Sequence, residues 1–228
     1  MSQRGNTGPS GTPHGQGATA ASPGWVRSWD RFWFTPADAY PLAMVRIGTG
    51  LLLAWASFVW LLDIEAFFGP GGWLPSHEVW RMNDQPWQWS WYFATSSSAV
   101  RMALGILTMI AGLTLAAGMA TRLSAVVAFA GLVSAANRAP LNVFGFDDTL
   151  GMLLISLVIG PAGACLSIDR WLQGRLYGSG RGGQQPEQGG PLQSGSVSAN
   201  VALRLLQCHL CVVYFFSGAG KLLGASWW

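Results

Sequence analysis

Apolar positions along this chain neither alternate nor recur only on one helical stripe; they collect in long blocks. A helix needs about 20 mostly apolar residues to cross a bilayer core about 30 Å thick, and five blocks approach that length. The first covers residues 41–62, with Arg46 near its start. The second, residues 102–121, carries no charge. The third and shortest, 123–137, is bracketed by Arg122 and Arg138. The fourth, 149–168, is again uncharged and contains Pro161. The fifth spans about residues 199–223 and holds Arg204, His209 and Lys221. A soluble helix buries one stripe and leaves the rest polar, whereas a segment in lipid must satisfy its own backbone and stay apolar all round. The pattern therefore predicts an all-α, polytopic transmembrane helical bundle of about five membrane helices.

The segments between blocks have characters of their own. Residues 1–27 are rich in Gly, Pro, Ser, Thr and Gln, have no apolar core of a signal peptide, and read as a disordered tail. The membrane domain then covers residues 28–228. Within it, residues 63–98 form an outer loop with Trp73, Trp80, Trp87, Trp89 and Trp91. Indole rings favour the membrane–water interface, so this loop is expected to lie on the bilayer surface. Its run Gly69-Pro70-Gly71-Gly72 marks a tight turn. Residues 174–198, mostly Gly, Gln and Ser, read as a flexible linker.

Composition agrees with the blocks. Only 10% of residues are charged and half are hydrophobic, against roughly 25% charged in soluble domains. The formal charge of +3 is small and spread over the loops, which points away from nucleic acid and leaves the lipid bilayer as the main partner. With the N-terminus inside, the inner loops hold seven arginines (4, 27, 31, 122, 170, 175 and 181) and the outer loops three (81, 101 and 138). Positive residues favour cytoplasmic loops, so a cytoplasmic N-terminus is predicted.

Candidate chemistry concentrates in the fifth block. Arg204, Gln207, Cys211, Tyr214, Gly218 and Lys221 follow at spacings of three and four, which places them on one helical face. Ionisable residues inside a membrane mark functional sites by default; the alternative is that Arg204 and Lys221 snorkel to opposite interfaces. Desolvation disfavours the charged form of an amine, and a neutral amine can serve as a general base, so Lys221 is the candidate catalytic residue, with Tyr214 lining the same face. Cys208-His209-Leu210-Cys211 lacks the second pair a zinc site needs, so no metal is expected and the thiols read as small apolar side chains. Asp147 and Asp148 fall at the start of the fourth helix, where they either cap it or line a site with Arg138. Arg46 either snorkels or pairs with an acid across the bundle.

Together these residues carry a resemblance. The first block with Arg46, the loop FFGPGGWLP, Thr121-Arg122, the run NRAPLNVFGFDDTL, Ser167-Ile168-Asp169 and the run YFFSGAGKLLGASW resemble, in order and spacing, the HTTM superfamily. That is the membrane domain shared by vitamin K-dependent γ-carboxylase and many bacterial proteins. The resemblance implies a quinol-linked membrane enzyme in which Lys221 matches the proposed base that deprotonates reduced vitamin K. The oxygenated quinol would then remove a γ-proton from peptidyl glutamate, and the carbanion would capture carbon dioxide. The cofactor implied is a reduced quinone, the vitamin K hydroquinone. This chain has Gly220-Lys221 where the carboxylase has Lys-Lys, and no His in residues 137–148. The family continues into further membrane segments, so an end at Trp228 reads as a C-terminal truncation. Other members imply a non-catalytic membrane partner in the maturation of a secreted protein, and a DoxX-like subunit of a quinone-linked oxidoreductase is similar in character. The expected location is a bacterial inner membrane. A polar cavity reaching Lys221 would favour the enzyme, and a Lys221 exposed at the interface the partner.

Overall fold

The computed structural model of the chain describes residues 23–82, 88–178 and 195–224. Among these the regular structure is helical: α1 (Gly24–Phe34), α2 (Tyr40–Leu62), α3 (Ile64–Phe68), α4 (Ser76–Met82), α5 (Ser98–Ala117), α6 (Thr121–Arg138), α7 (Gly145–Ile159), α8 (Ile168–Gly178) and α9 (Val197–Leu223), with a 3-10 turn at Pro140–Asn142. One isolated β-bridge joins Ala37 to Ser196. By length and composition α2, α5 and α9 can cross a membrane. The shorter α6 and α7, of 18 and 15 residues, pack between them.

Helix ends follow local chemistry and differ from the apolar blocks in three places. The second block stops at Gly118, whose φ of 76° is left-handed; its N–H and that of Met119 fold back onto the Leu115 and Thr114 carbonyls, a glycine C-cap. Thr121 therefore opens α6 and does not end α5. The fourth helix starts four residues before the expected 149 and ends at Ile159. Pro161 disfavours helical backbone at the residue before it, and Gly160 is extended. Residues 24–27, expected in the tail, form the first turn of α1. The rest of the expected tail (1–22), most of the expected linker (179–194) and Trp87 lie outside the described residues.

The most extensive helix contact is α2 with α5, followed by α5 with α6 and α6 with α7; α9 packs on α7 and α1. Leu42, Leu53, Leu115, Leu150, Leu154 and Leu157 are buried at the centre. Glycine decides the tightest approach. A Cβ on Gly50 would stand 2.6 Å from the Ala116 amide nitrogen, and one on Gly112 2.9 Å from the Ala54 amide nitrogen. The outward faces are apolar: Leu51, Trp55, Phe58, Ile106, Ile110 and Val126 are all exposed. Water tolerates so large an apolar surface poorly, and lipid contact suits it.

Candidate functional site

The polar side chains gather at the two ends of the bundle. The distal end carries residues 63–82, 88–97 and 139–144; the proximal end carries α1, α8, the start of α2 and the α5–α6 turn.

At the distal end the Trp-rich loop is bolted to α5 and α6. Asp63 caps α3 by accepting from the Ala66 N–H. Arg101, buried near the start of α5, donates through Nη2 to both oxygens of Glu65, at 2.9 and 2.7 Å, and through Nε at 3.2 Å. The hydrogen bonds from Arg101, then from Ser98, hold the Glu65 carboxyl below its ordinary value. Arg138 ends α6 wholly buried, its guanidinium forked between the Leu74 carbonyl at 3.0 Å and the Gly69 carbonyl. Ser134 accepts from the Trp91 N–H at 2.9 Å and pairs with the Ser90 hydroxyl, while Asn137 donates to the Trp89 carbonyl at 2.7 Å. Phe68 stacks on Tyr92 at 4.3 Å, and burial pushes the Tyr92 hydroxyl up to about 12. The loop is thus a packed cap. Trp73, Trp80 and Trp89 still face outward from it, as interfacial indoles would. A hollow of about 520 Å³ lies over Glu65, Gly69, Trp73 and Arg101.

Asp147 and Asp148 border a groove of about 210 Å³ between α6 and α7, with Phe129, Ala136 and Met152. Asp147 accepts from the Phe144 N–H at 2.9 Å, which is the capping role. The Arg138 hydrogen bonds go to the loop carbonyls and not to these aspartates.

At the proximal end Arg46 is fully buried and donates to the carbonyls of Ala162 at 2.7 Å, Cys165 at 3.2 Å and Leu166 at 2.6 Å. These carbonyls lie in the turn between α7 and α8, and buried backbone carbonyls need a donor; Arg46 neither snorkels nor takes an acid as hydrogen-bond partner. Asp169 accepts from the Ala120 N–H at 2.7 Å. Ala120 and Leu166 both hold left-handed backbone, at φ 43° and 50°, and each is locked by one of these bonds. Beside them opens a cavity of about 780 Å³.

The two halves of α9 differ. Ala199, Ala202 and Leu206 are buried, and Asn200 donates to the Phe32 and Trp33 carbonyls at 2.8 and 2.9 Å. Arg204 lies over the Phe32 ring and donates to Gln207 at 2.7 Å. Beyond Leu206 the side chains are mostly exposed: Tyr214 is 75% exposed, and Lys221 is exposed too. Cys208 and Cys211 are reduced thiols there. The six predicted site residues therefore occupy four places. Arg46 is proximal, Arg138 is under the distal cap, the aspartates are in the α6–α7 groove, and Tyr214 and Lys221 are on the outer half of α9.

Two residues that build the distal end escaped the sequence reading, Glu65 and Arg101. The available signal was an acid three residues past one block and an arginine just before the next, at the two ends of the Trp-rich loop. No family model, curated protein or solved structure matches the chain.

Proposed function

We propose that this chain is an HTTM-like integral membrane protein of five crossings that holds a membrane segment of a partner protein along the outer half of α9. The five crossings are α2, α5 and α9, long and apolar enough on their own, together with the shorter α6 and α7 packed between them. At 1.5 Å per residue, α6 is about 27 Å long and α7 about 23 Å, and polar ends extend both toward the interfaces. The observation that carries the reading is α9 itself. From Gln207 on, its side chains are mostly exposed, and they include Gln207, Cys211 and Tyr214 on one face. Polar groups in a bilayer turn toward protein or water and away from acyl chains. A Cβ at Gly218, on the same face, would meet nothing within 4 Å, so that face offers a small residue of the kind on which membrane helices pack closely.

The carboxylase-like chemistry implied by the resemblance needs the Lys221 amine taken out of water. Its exposure in the chain puts the partner reading ahead and makes any quinol chemistry depend on the same covering segment.

Nitroxide labels on Cys211 and at Tyr214→Cys, in native membranes with the other cysteines replaced by Ala, test the proposal. Protection from both oxygen and a water-soluble nickel chelate, with oxygen access retained at Val126→Cys, is the expected result. Oxygen access at 211 and 214 equal to that at 126 would mean that lipid covers α9, and the partner reading falls. Reduced-quinone binding by the purified chain, lost in Lys221→Ala, would put the quinol-linked enzyme in its place.

A further inference from the structure

We propose that the proximal cavity binds the phosphate-bearing headgroup of an anionic membrane phospholipid. The inference uses the membrane crossing proposed above and is independent of any partner on α9.

The cavity has the size of a small-molecule site, at about 780 Å³, and its wall includes Thr121, Arg122, Arg170 and Gln173. Two carboxylates, Asp38 and Asp169, also line it. Both are engaged by backbone: Asp38 accepts from the Tyr40 N–H at 3.1 Å and Asp169 from the Ala120 N–H at 2.7 Å. The cations are less committed. Arg170 uses one guanidinium nitrogen on the Ala164 carbonyl. Arg122 is exposed, and no hydrogen bond or ion pair is found for it among the described residues.

The backbone adds donors. The cavity meets the first turn of α6, which has no side-chain cap, and the leading N–H groups of a helix attract anions. Independently of that terminus, the Thr121 hydroxyl is buried there without a hydrogen-bond partner, in a residue only 7% exposed. A phosphate oxygen or its attendant water would satisfy it.

Two helices at this end specify a lipid as the source of the phosphate. In α1, Trp25 and Trp29 are exposed one turn apart, beside Arg27 and Arg31. In α8, exposed Trp171 carries the Arg175 guanidinium 4.3 Å over its ring. Indoles interleaved with arginines suit a helix lying in the headgroup layer of an anionic surface. A cavity at that depth opens to headgroups, and acyl chains would run down the apolar flank of the bundle.

The test is thermal unfolding of the full chain in an uncharged detergent, with added phosphatidylglycerol, phosphatidylcholine or inorganic phosphate. Wild type, Arg122→Gln and, exposed on α4 at the distal end, Arg81→Gln are compared. Phosphatidylglycerol should raise the wild-type midpoint saturably, as a ligand of the folded state does, and phosphatidylcholine should not. Arg122→Gln should weaken the apparent affinity about tenfold, the loss of one charge-assisted contact, while Arg81→Gln keeps it. Because Arg122 is exposed, its variant should fold; lipid adducts counted by native mass spectrometry give a second readout. The proposal is overturned by no shift in wild type, by an equal shift in Arg122→Gln, by an equal shift with phosphatidylcholine, or by inorganic phosphate alone reproducing it.

Discussion

Three buried arginines, Arg46, Arg101 and Arg138, set the behaviour of individual residues, because each reaches acceptors outside its own helix. Arg138 is the most exposed to test. It is the donor to the Gly69 and Leu74 carbonyls, and a buried acceptor left without a partner costs about 1–3 kcal/mol. Arg138→Met should therefore lower the unfolding midpoint in detergent and speed proteolysis between residues 69 and 82. Arg138→Lys should recover only part of the loss, since an ammonium cannot fork as a guanidinium does. A Met variant that melts and resists protease like wild type would mean that the loop is not held from α6. Arg46 and Arg138 stand out in the sequence as charges too costly to be idle. Their partners do not, because the acceptors are backbone carbonyls, and every residue type carries one.

At the scale of elements, the α2–α5 pair shows how close packing rests on single hydrogens. Gly112 faces the backbone of α2 at Ala54 and Gly50, whereas a Cβ at Gly48 would meet nothing within 4 Å. Gly112→Ala should force the helices apart and destabilise the chain by roughly 1–3 kcal/mol, the usual cost of overpacking. Gly48→Ala should be neutral or stabilising by about 0.5–1 kcal/mol, because alanine restricts the unfolded helix segment less costly to order. Unfolding by sodium dodecyl sulfate in mild detergent measures both, and equal effects would remove the close approach as the reason. The existence of α2, α5, α6, α7 and α9 was legible from the apolar blocks, whereas α1, α3, α4 and α8, the last running into the expected linker at 174–178, fall outside them. Helix ends were less so, since blocks record hydrophobicity while ends depend on Gly118, Pro161 and capping by Asp147.

For the whole molecule, the number of crossings is the quantity that distinguishes architectures. If α6 and α7 both cross, the α5–α6 turn lies on the side of α1, and the turn at 140–142 lies with the distal loop. Single cysteines at Met119, Leu141 and Trp73, in a chain with Cys165, Cys208 and Cys211 replaced by Ala, report this with a membrane-impermeant thiol reagent. Positions 141 and 73 should label from one side and 119 from the other. Labelling of 119 and 141 from the same side would reduce the bundle to the three longer crossings. The two ends differ in kind: the distal loop is drawn into a packed cap, while the proximal end stays open as a cavity whose wall includes Arg122 and Arg170.

By itself the sequence determined the helical class, since uncharged runs such as 102–121 suit neither a soluble helix nor a strand. It also determined that Arg46, Arg138 and Lys221 stand beside or within apolar blocks, and that Arg204 to Lys221 share a helical face. Those are statements about neighbours along the chain or one helical turn away, which spacing alone can settle. Only the tertiary structure decided that Arg101 closes on Glu65, that Arg46 holds the turn between α7 and α8, and that the outer half of α9 turns away from its own bundle. Each depends on which helix lies beside which, over separations of 36 to 120 residues, and packing sets that where periodicity cannot.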